Sequence, residues 1–256
     1  MPEITTPQNL RRFIAMNQPL GWIEDASLPF LQAALGAAAV QISDDAICAD
    51  PSLSASALES ALAQAALQMR DAGWIKGWRN ERYTVFASDQ AGGLDLARPL
   101  FELERAAFRR FGLTSRAVHI NGYNSAGLWI AQRASSKAID PDKLDNLAAG
   151  GISAGEKAWD CVIRELAEEA GIPAQLASQA VTSGSLRTTR AEADGWHDEI
   201  ICTYDLLLPE DFVPINTDGE VAGFQHLGFD QIRSILPRMT LDAAAVTQAF
   251  LQQHLI

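Results

Sequence analysis

Between residues 147 and 172 the chain reads LAAGGISAGEKAWDCVIRELAEEAGI, and this stretch limits the fold more than any other. If residues 157 to 170 are helical, Glu165, Glu168 and Glu169 stand three and four positions apart and share one face, with Cβ atoms about 5–6 Å from one another. Like charges at that spacing repel. An ordinary solvated helix face intersperses lysines among its carboxylates, yet no basic residue lies between these glutamates or in the four residues after them. A hard divalent cation relieves the repulsion, because Mg²⁺ and Mn²⁺ take carboxylate and water ligands and hold phosphates. Gly150 and Gly151 ahead of the helix allow backbone to approach such an ion closely.

The chain has 256 residues, 48% of them hydrophobic and 20% charged, enough for one large or two modest domains with packed cores. Its formal charge of -12 opposes nucleic-acid binding, which draws affinity from Lys and Arg on phosphates. It does not oppose a phosphorylated small molecule whose charge is met by a bound cation. No run of 18 apolar residues and no secretory signal pattern occur in the sequence, so the expectation is a cytoplasmic chain with no membrane partner. Cys48, Cys161 and Cys202 are odd in number and far apart, which reads as buried thiols.

The first half reads as α+β. PQNLRRFIAMN places Leu10, Phe13 and Ile14 at helical spacing, SASALESALAQAALQMRDAG does so with Leu58, Leu62, Ala65, Ala66 and Met69, and LARPLFELERAAFRRFGL predicts a third helix closing at Gly112. RYTVFAS predicts a strand. From about Ala117 strands dominate: AVHINGY and GLWIAQRA flank an NSAG turn, and QAVTSGSLRT, EIICTYDLLL and EVAGFQHLGF follow the acidic helix. LDAAAVTQAFLQQHL predicts a last helix. The change of pattern sets a domain boundary near residues 112 to 116, giving an extension over 1–114 and a second domain over 115–256.

Gly150, Glu156, Arg164, Glu165, Leu166, Glu168, Glu169, Gly171 and Ile172 fill every fixed position of a Nudix box. The resemblance implies an α/β fold, a Nudix α/β/α sandwich with an N-terminal α+β extension, and metal-dependent hydrolysis of a diphosphate linked to another moiety. It further implies that Glu165, Glu169 and Glu168 bind Mg²⁺ or Mn²⁺, with Glu168 a ligand or the water-activating base, and that the carbonyl of Ala149 joins them. Arg164 would hold the carboxylates in place, while Glu156 would orient Arg164 from the helix start.

The flanks HINGY, LWIAQRA and KLDNLAAGG, with GWHDEI, TYDLLLP and DGEVAGF beyond the box, are similar to Nudix proteins related to the C-terminal part of fungal thiamine pyrophosphokinase and to plant relatives. GWIKGWRNERYTVF is similar to their N-terminal extension. That subfamily implies a small-molecule substrate, thiamine diphosphate or its damaged oxo or oxidised analogues, cleaved to the monophosphate. Gln132, Asp142 and Arg187 depart from its pattern, standing where Arg, Gly and an aromatic are expected.

Outside the box, Arg133 and Lys137 are candidates for phosphate contacts, and Glu220 for a further carboxylate with a catalytic role. Trp78 and Trp196 are candidates to stack on a substrate ring, although burial alone accounts for most tryptophans. His119 and His197 have no second His or Cys at zinc spacing and read as structural. The competing functions are pyrophosphatase action on NADH, ADP-ribose or a nucleotide sugar, a Nudix-like module that binds without cleaving, and an isomerase of isopentenyl diphosphate, for which Cys161 inside the box helix is misplaced. The extension either covers the organic end of the substrate or makes a homodimer, and the resemblance favours the first.

Overall fold

The computed structural model describes residues 10–89, 91–137 and 139–254. They fall into two compact units. The first lies within Met1–Ser115, Ser153–Gly155 and Thr188–Glu199, the second within Arg116–Ile152, Glu156–Arg187 and Ile200–Ile256.

In the first unit, β1 (Leu10–Ala15), β2 (Gln18–Glu24), α1 (Leu28–Leu35), β3 (Val40–Ile42) and β4 (Ala46–Ala49) precede α2 (Ala55–Asp71). The described strands pair in the order β2-β1-β4-β3. The helix expected from PQNLRRFIAMN is instead β1: its described part pairs antiparallel with β2 and parallel with β4, and residues 7–9 lie outside the described residues. Phe13 and Ala15, two apart, are buried while Ile14 between them is only half-buried. The period of two therefore won over the coincidental spacing of Leu10, Phe13 and Ile14. The second predicted helix forms as α2. Ser54 caps it by accepting from the Ala57 N–H at 3.2 Å, and Leu58, Leu62, Ala65, Ala66 and Met69 form its buried stripe.

RYTVFAS forms β5 (Arg82–Ser88), paired with β6 (Leu94–Glu104). That pairing overturns the helix expected over LARPLFELERAAFRRFGL, of which only α3 (Phe108–Phe111) is α-helical, closed by left-handed Gly112. Pro99 sits opposite Phe86 where the register slips, a bulged position that tolerates a residue with no N–H.

The second unit is built on a sheet of β7 (Ser115–Asn124), β8 (Gly127–Arg133), β9 (Leu144–Asp145), β10 (Ala148–Gly151), β11 (Val181–Glu192), β12 (Gly195–Leu207) and β13 (Val221–Leu227), of which Ser115 and residues 188–192 and 195–199 fall in the first unit. Its described path runs β11-β12-β7-β8-β13, with β10 on β7 and β9 on β8. The NSAG turn forms as expected, with Asn124 paired to Gly127 and its side chain accepting from the N–H groups of Ala126 and Gly127. One face is covered by α4 (Ala158–Ala170) and α5 (Ala174–Ala177), through Val162, Leu166 and Ala170 on Val118, Ile120 and Leu206. The other carries α6 (Phe229–Ile235) and α7 (Leu241–His254), through Ile232, Ala243 and Phe250 on Leu128 and Ile130. This is an α/β/α sandwich.

A strand covered on both faces has no wet side, so its polar residues need partners inside. His119 Nδ1–H donates to Asn146 Oδ1 at 2.7 Å, and Asn146 Nδ2 donates to Asn121 Oδ1 and Thr247 Oγ1, each at 2.9 Å. Asn121 Nδ2 in turn donates to Asp205 Oδ1 at 2.9 Å. His119 is thus a satisfied core histidine.

Candidate metal centre

The centre is assembled from β10, the last turns of α4, the loop before β13 and the loop after β8. After α4, Gly171 takes a left-handed conformation and its N–H returns to Ala167 O, while the Ile172 N–H returns to Leu166 O, so the helix stops at Ala170. Glu165 and Glu169 are buried, 8% and 6% exposed, which is rare for carboxylates without a charged or metal partner.

Gly150 explains the position of Glu165. A Cβ on Gly150 would run into the Glu165 carboxylate, so a larger residue there would make that side chain give up its present place. Glu169 lies beside the same strand and accepts from the Ala149 N–H at 2.9 Å. Arg164 closes the arrangement from the helix side. It donates two parallel bonds to Glu156, at 2.9 and 3.0 Å, one to Glu165 at 2.5 Å and one to Glu168 at 3.3 Å. Its fork also reaches the Gly151 carbonyl and Cys161 Sγ, each at 3.3 Å. The bonds it donates to Glu156 push the guanidinium pKa still higher.

Burial is the first cause of both glutamate shifts. It pushes Glu165 up against the pull of Arg164. Glu169 is pushed up to about 8 by burial and then by the neighbouring Glu165. As anions, these two groups are under-compensated by the side chains around them.

A second arm comes from the segment after residue 214, which is riveted to the end of α4. Thr217 donates its N–H and Oγ1 to Glu168 O at 3.1 and 2.7 Å, and the Ile215 N–H donates to Ala170 O at 3.0 Å. These satisfy carbonyls that a helix end leaves without intrahelical partners. Asn216 Oδ1 accepts from the Asp218 and Gly219 N–H groups, Asn216 Nδ2 donates to Val221 O, and Asp218 Oδ1 accepts from the Glu220 N–H. The turn places carboxylate oxygens of Glu169, Asp218 and Glu220 within 4.8 Å of one another.

Lys137 enters from the third side. Its ammonium pairs with Glu220 and lies 3.8 Å from Glu169 Oε1. Arg133 does not share this neighbourhood directly: its guanidinium donates to Asp145 Oδ2 and to the carbonyls of Ile139 and Asp140, all within 3.1 Å, and so fastens the loop that carries Lys137.

Box residues Ala149, Gly150, Glu156, Arg164, Glu165, Glu168, Glu169 and Gly171 are therefore gathered with Glu220 and Lys137. Trp78 and Trp196 belong to the first unit. Trp78 donates its indole N–H to Asn80 and stacks under the Arg70 guanidinium, 4.9 Å from the ring centre. The Trp196 indole is buried, with no hydrogen-bond partner for its N–H among the described residues. Sequence reasoning did not single out Asn216 and Thr217. The run NTDGE announces a turn, but nothing in it announces that the turn is fastened to a helix about fifty residues earlier.

The donors are hard oxygens with excess negative charge, a set suited to Mg²⁺ or Mn²⁺ and not to softer ions. Under-compensated Glu165 and Glu169 are an independent sign that the set fits a cation. Together with the Lys137 ammonium, it offers a place where a dication and a polyanion meet.

A family model of the NUDIX domain matches residues 113–250, and one for a domain of unknown function (DUF4743) matches residues 3–115. The chain is similar to Nudix hydrolase 20, chloroplastic, of Arabidopsis thaliana, 36% identical over 191 residues that cover 72% of this chain and 50% of that protein. It is also similar to Nudix hydrolase 24, chloroplastic, of the same plant, 38% identical over 168 residues, 64% of this chain and 44% of that protein. The chain thus spans about half the length of these curated relatives. Among solved structures it resembles the Deinococcus radiodurans protein DR0079, with a TM-score of 0.50 and 20% identity, covering 66% of this chain and 99% of that one, a likeness of fold.

Proposed function

The chain belongs to the NUDIX family, and from that premise we propose that it hydrolyses a diphosphate linked to an organic group in the presence of Mg²⁺ or Mn²⁺. The observation that carries the reading is the convergence of Glu165 and Glu169 with the Asp218–Glu220 turn and Lys137 around β10. Glu165 and Glu169 are the proposed holders of the cation, with the backbone of Ala149 beside them, and Glu168 is the carboxylate left for water. When bound, the cation supplies charge neutralisation on the phosphoryl oxygens and acidifies water for attack on phosphorus.

The chain's own groups do the rest. Arg164 fixes Glu165 and Glu168 in one orientation through charge-assisted bonds and is itself aimed by Glu156. Glu168 has a side chain 49% exposed, so it is the carboxylate of the three that incoming water reaches, and we assign it the base role. Glu220 adds negative charge on the opposite side and anchors Lys137. Lys137 is the group placed to meet a non-bridging phosphate oxygen.

The substrate proposed is thiamine diphosphate or an oxidised or oxo analogue, converted to the monophosphate and phosphate. The support is the similarity of the flanks around HINGY, KLDNLAAGG and TYDLLLP to that subfamily, together with the GWIKGWRNERYTVF segment. Product release from thiamine diphosphate, its oxo analogue, ADP-ribose and NADH, each with Mg²⁺ and with chelator, tests both levels. The expected result is chelator-sensitive turnover, highest on a thiamine compound and abolished by Glu165→Gln. Preference for ADP-ribose or NADH overturns the substrate. Turnover indifferent to chelator overturns the metal-dependent reading itself.

A further inference from the structure

The second unit fixes Lys137 to an extent unusual for a loop lysine. An ordinary surface lysine keeps its ammonium in water on a mobile stem. The Lys137 side chain is only 11% exposed, and the backbone around it is tied at several points. Its N–H donates to Ala134 O, the Ala134 N–H donates to Glu220 O at 2.9 Å, and Arg133 holds the Ile139 and Asp140 carbonyls. The turn that presents Glu220 thus also holds the loop that presents the lysine.

The ammonium is directed at oxygens of the acidic group formed by Glu169, Asp218 and Glu220, whose ligand atoms lie within 4.8 Å of one another. An ammonium and a dication compete for the same carboxylate lone pairs. A displaced ammonium left beside a dication would be repelled, whereas a bound diphosphate would give it a new anionic partner.

We propose that Lys137 is a tethered counter-cation that holds the Glu169–Asp218–Glu220 group until dication and diphosphate arrive, and then transfers its ammonium to a phosphate oxygen. The inference rests on the diphosphate-hydrolase reading above. It makes the two ligands interdependent: each binds weakly alone and tightly with the other, and by linkage the enhancement is the same from either side.

The test is Mn²⁺ calorimetry on the full chain, with and without methylenediphosphonate, a non-hydrolysable diphosphate, with free Mn²⁺ corrected for its complex with the diphosphonate. In the parent chain, diphosphonate should tighten Mn²⁺ binding by about tenfold or more, within the usual range of coupling between sites. Lys137→Met should bind Mn²⁺ about tenfold more tightly than the parent when diphosphonate is absent, and should lose most of the enhancement when it is present. Lys137→Arg, which keeps the charge, should restore the enhancement. If Lys137→Met binds Mn²⁺ no more tightly than the parent, or keeps the full enhancement, the inference fails while chelator-sensitive turnover still upholds the hydrolase reading. If no variant takes up Mn²⁺ and the parent cleaves no diphosphate, both fall together.

Discussion

Replacing Glu169 by Gln isolates the electrostatic cost of the centre, because the side chain keeps its shape and loses its charge. Glu169 titrates at about 8 in the fold against 4.5 for an ordinary glutamate, first because it is buried and then because Glu165 is near. A folded pKa above the unfolded one means that the fold prefers the protonated carboxyl. The resulting stability is fully present below pH 4.5 and is lost as the pH rises to about 8. At about 1.4 kcal/mol per pH unit, that interval corresponds to about 5 kcal/mol. Gln can still accept the Ala149 N–H through its amide oxygen, and the pull of Lys137 on the charged carboxylate is already contained in the folded pKa, so nothing further is subtracted for it. In chelator at pH 8.5, Glu169→Gln is therefore expected to be more stable than the parent by about 4–5 kcal/mol, with most of the gain gone at pH 5. Urea unfolding at several pH values measures this, and Mg²⁺-dependent turnover, expected to be lost, is followed alongside. A stability difference independent of pH, or a variant weaker than the parent at pH 8.5, refutes the account.

Gly150→Ala should drive its methyl into the Glu165 carboxylate, lowering stability by about 1–3 kcal/mol and weakening Mn²⁺ binding together. Thermal unfolding and calorimetry check the pair, and an alanine variant with parental metal affinity would show that the contact is not restrictive. Asn146→Ala leaves His119, Asn121 and Thr247 short of partners in a buried setting and should cost about 2–4 kcal/mol, read as a fall in urea midpoint. Ser54→Ala removes the cap of α2 and should cost about 1 kcal/mol, read as a fall in the thermal midpoint.

The legibility of the sequence followed the range of the forces involved. α2 was readable because its stripe and cap are local, and the α4 carboxylates were readable because three positions within five residues set their face. β1 was misread because LRRFIA satisfies both periods at once, and only pairing with β2 and β4 chooses between them. β6 was misread because LARPLFELE contains good helix formers, and the strand is decided by Phe101 and Leu103 lying opposite Val85 and Tyr83. The box named Gly150 without revealing that the Glu165 carboxylate is what needs the missing methyl group. Arg133 was expected at phosphate, but its partners Ile139, Asp140 and Asp145 are set by how the loop folds back, which residue type alone cannot tell.

The rivet between Thr217 and the end of α4 joins segments far apart along the chain, and Lys137 arrives from yet another. In a chain still emerging from synthesis these groups are distant from one another, so the full pocket of charge does not exist before tertiary closure. Any ion that needs all of them recognises the finished architecture and ignores the open polymer. Its concentration therefore acts as a thermodynamic pull toward completed folding, raising the melting temperature in proportion to the logarithm of ion in excess.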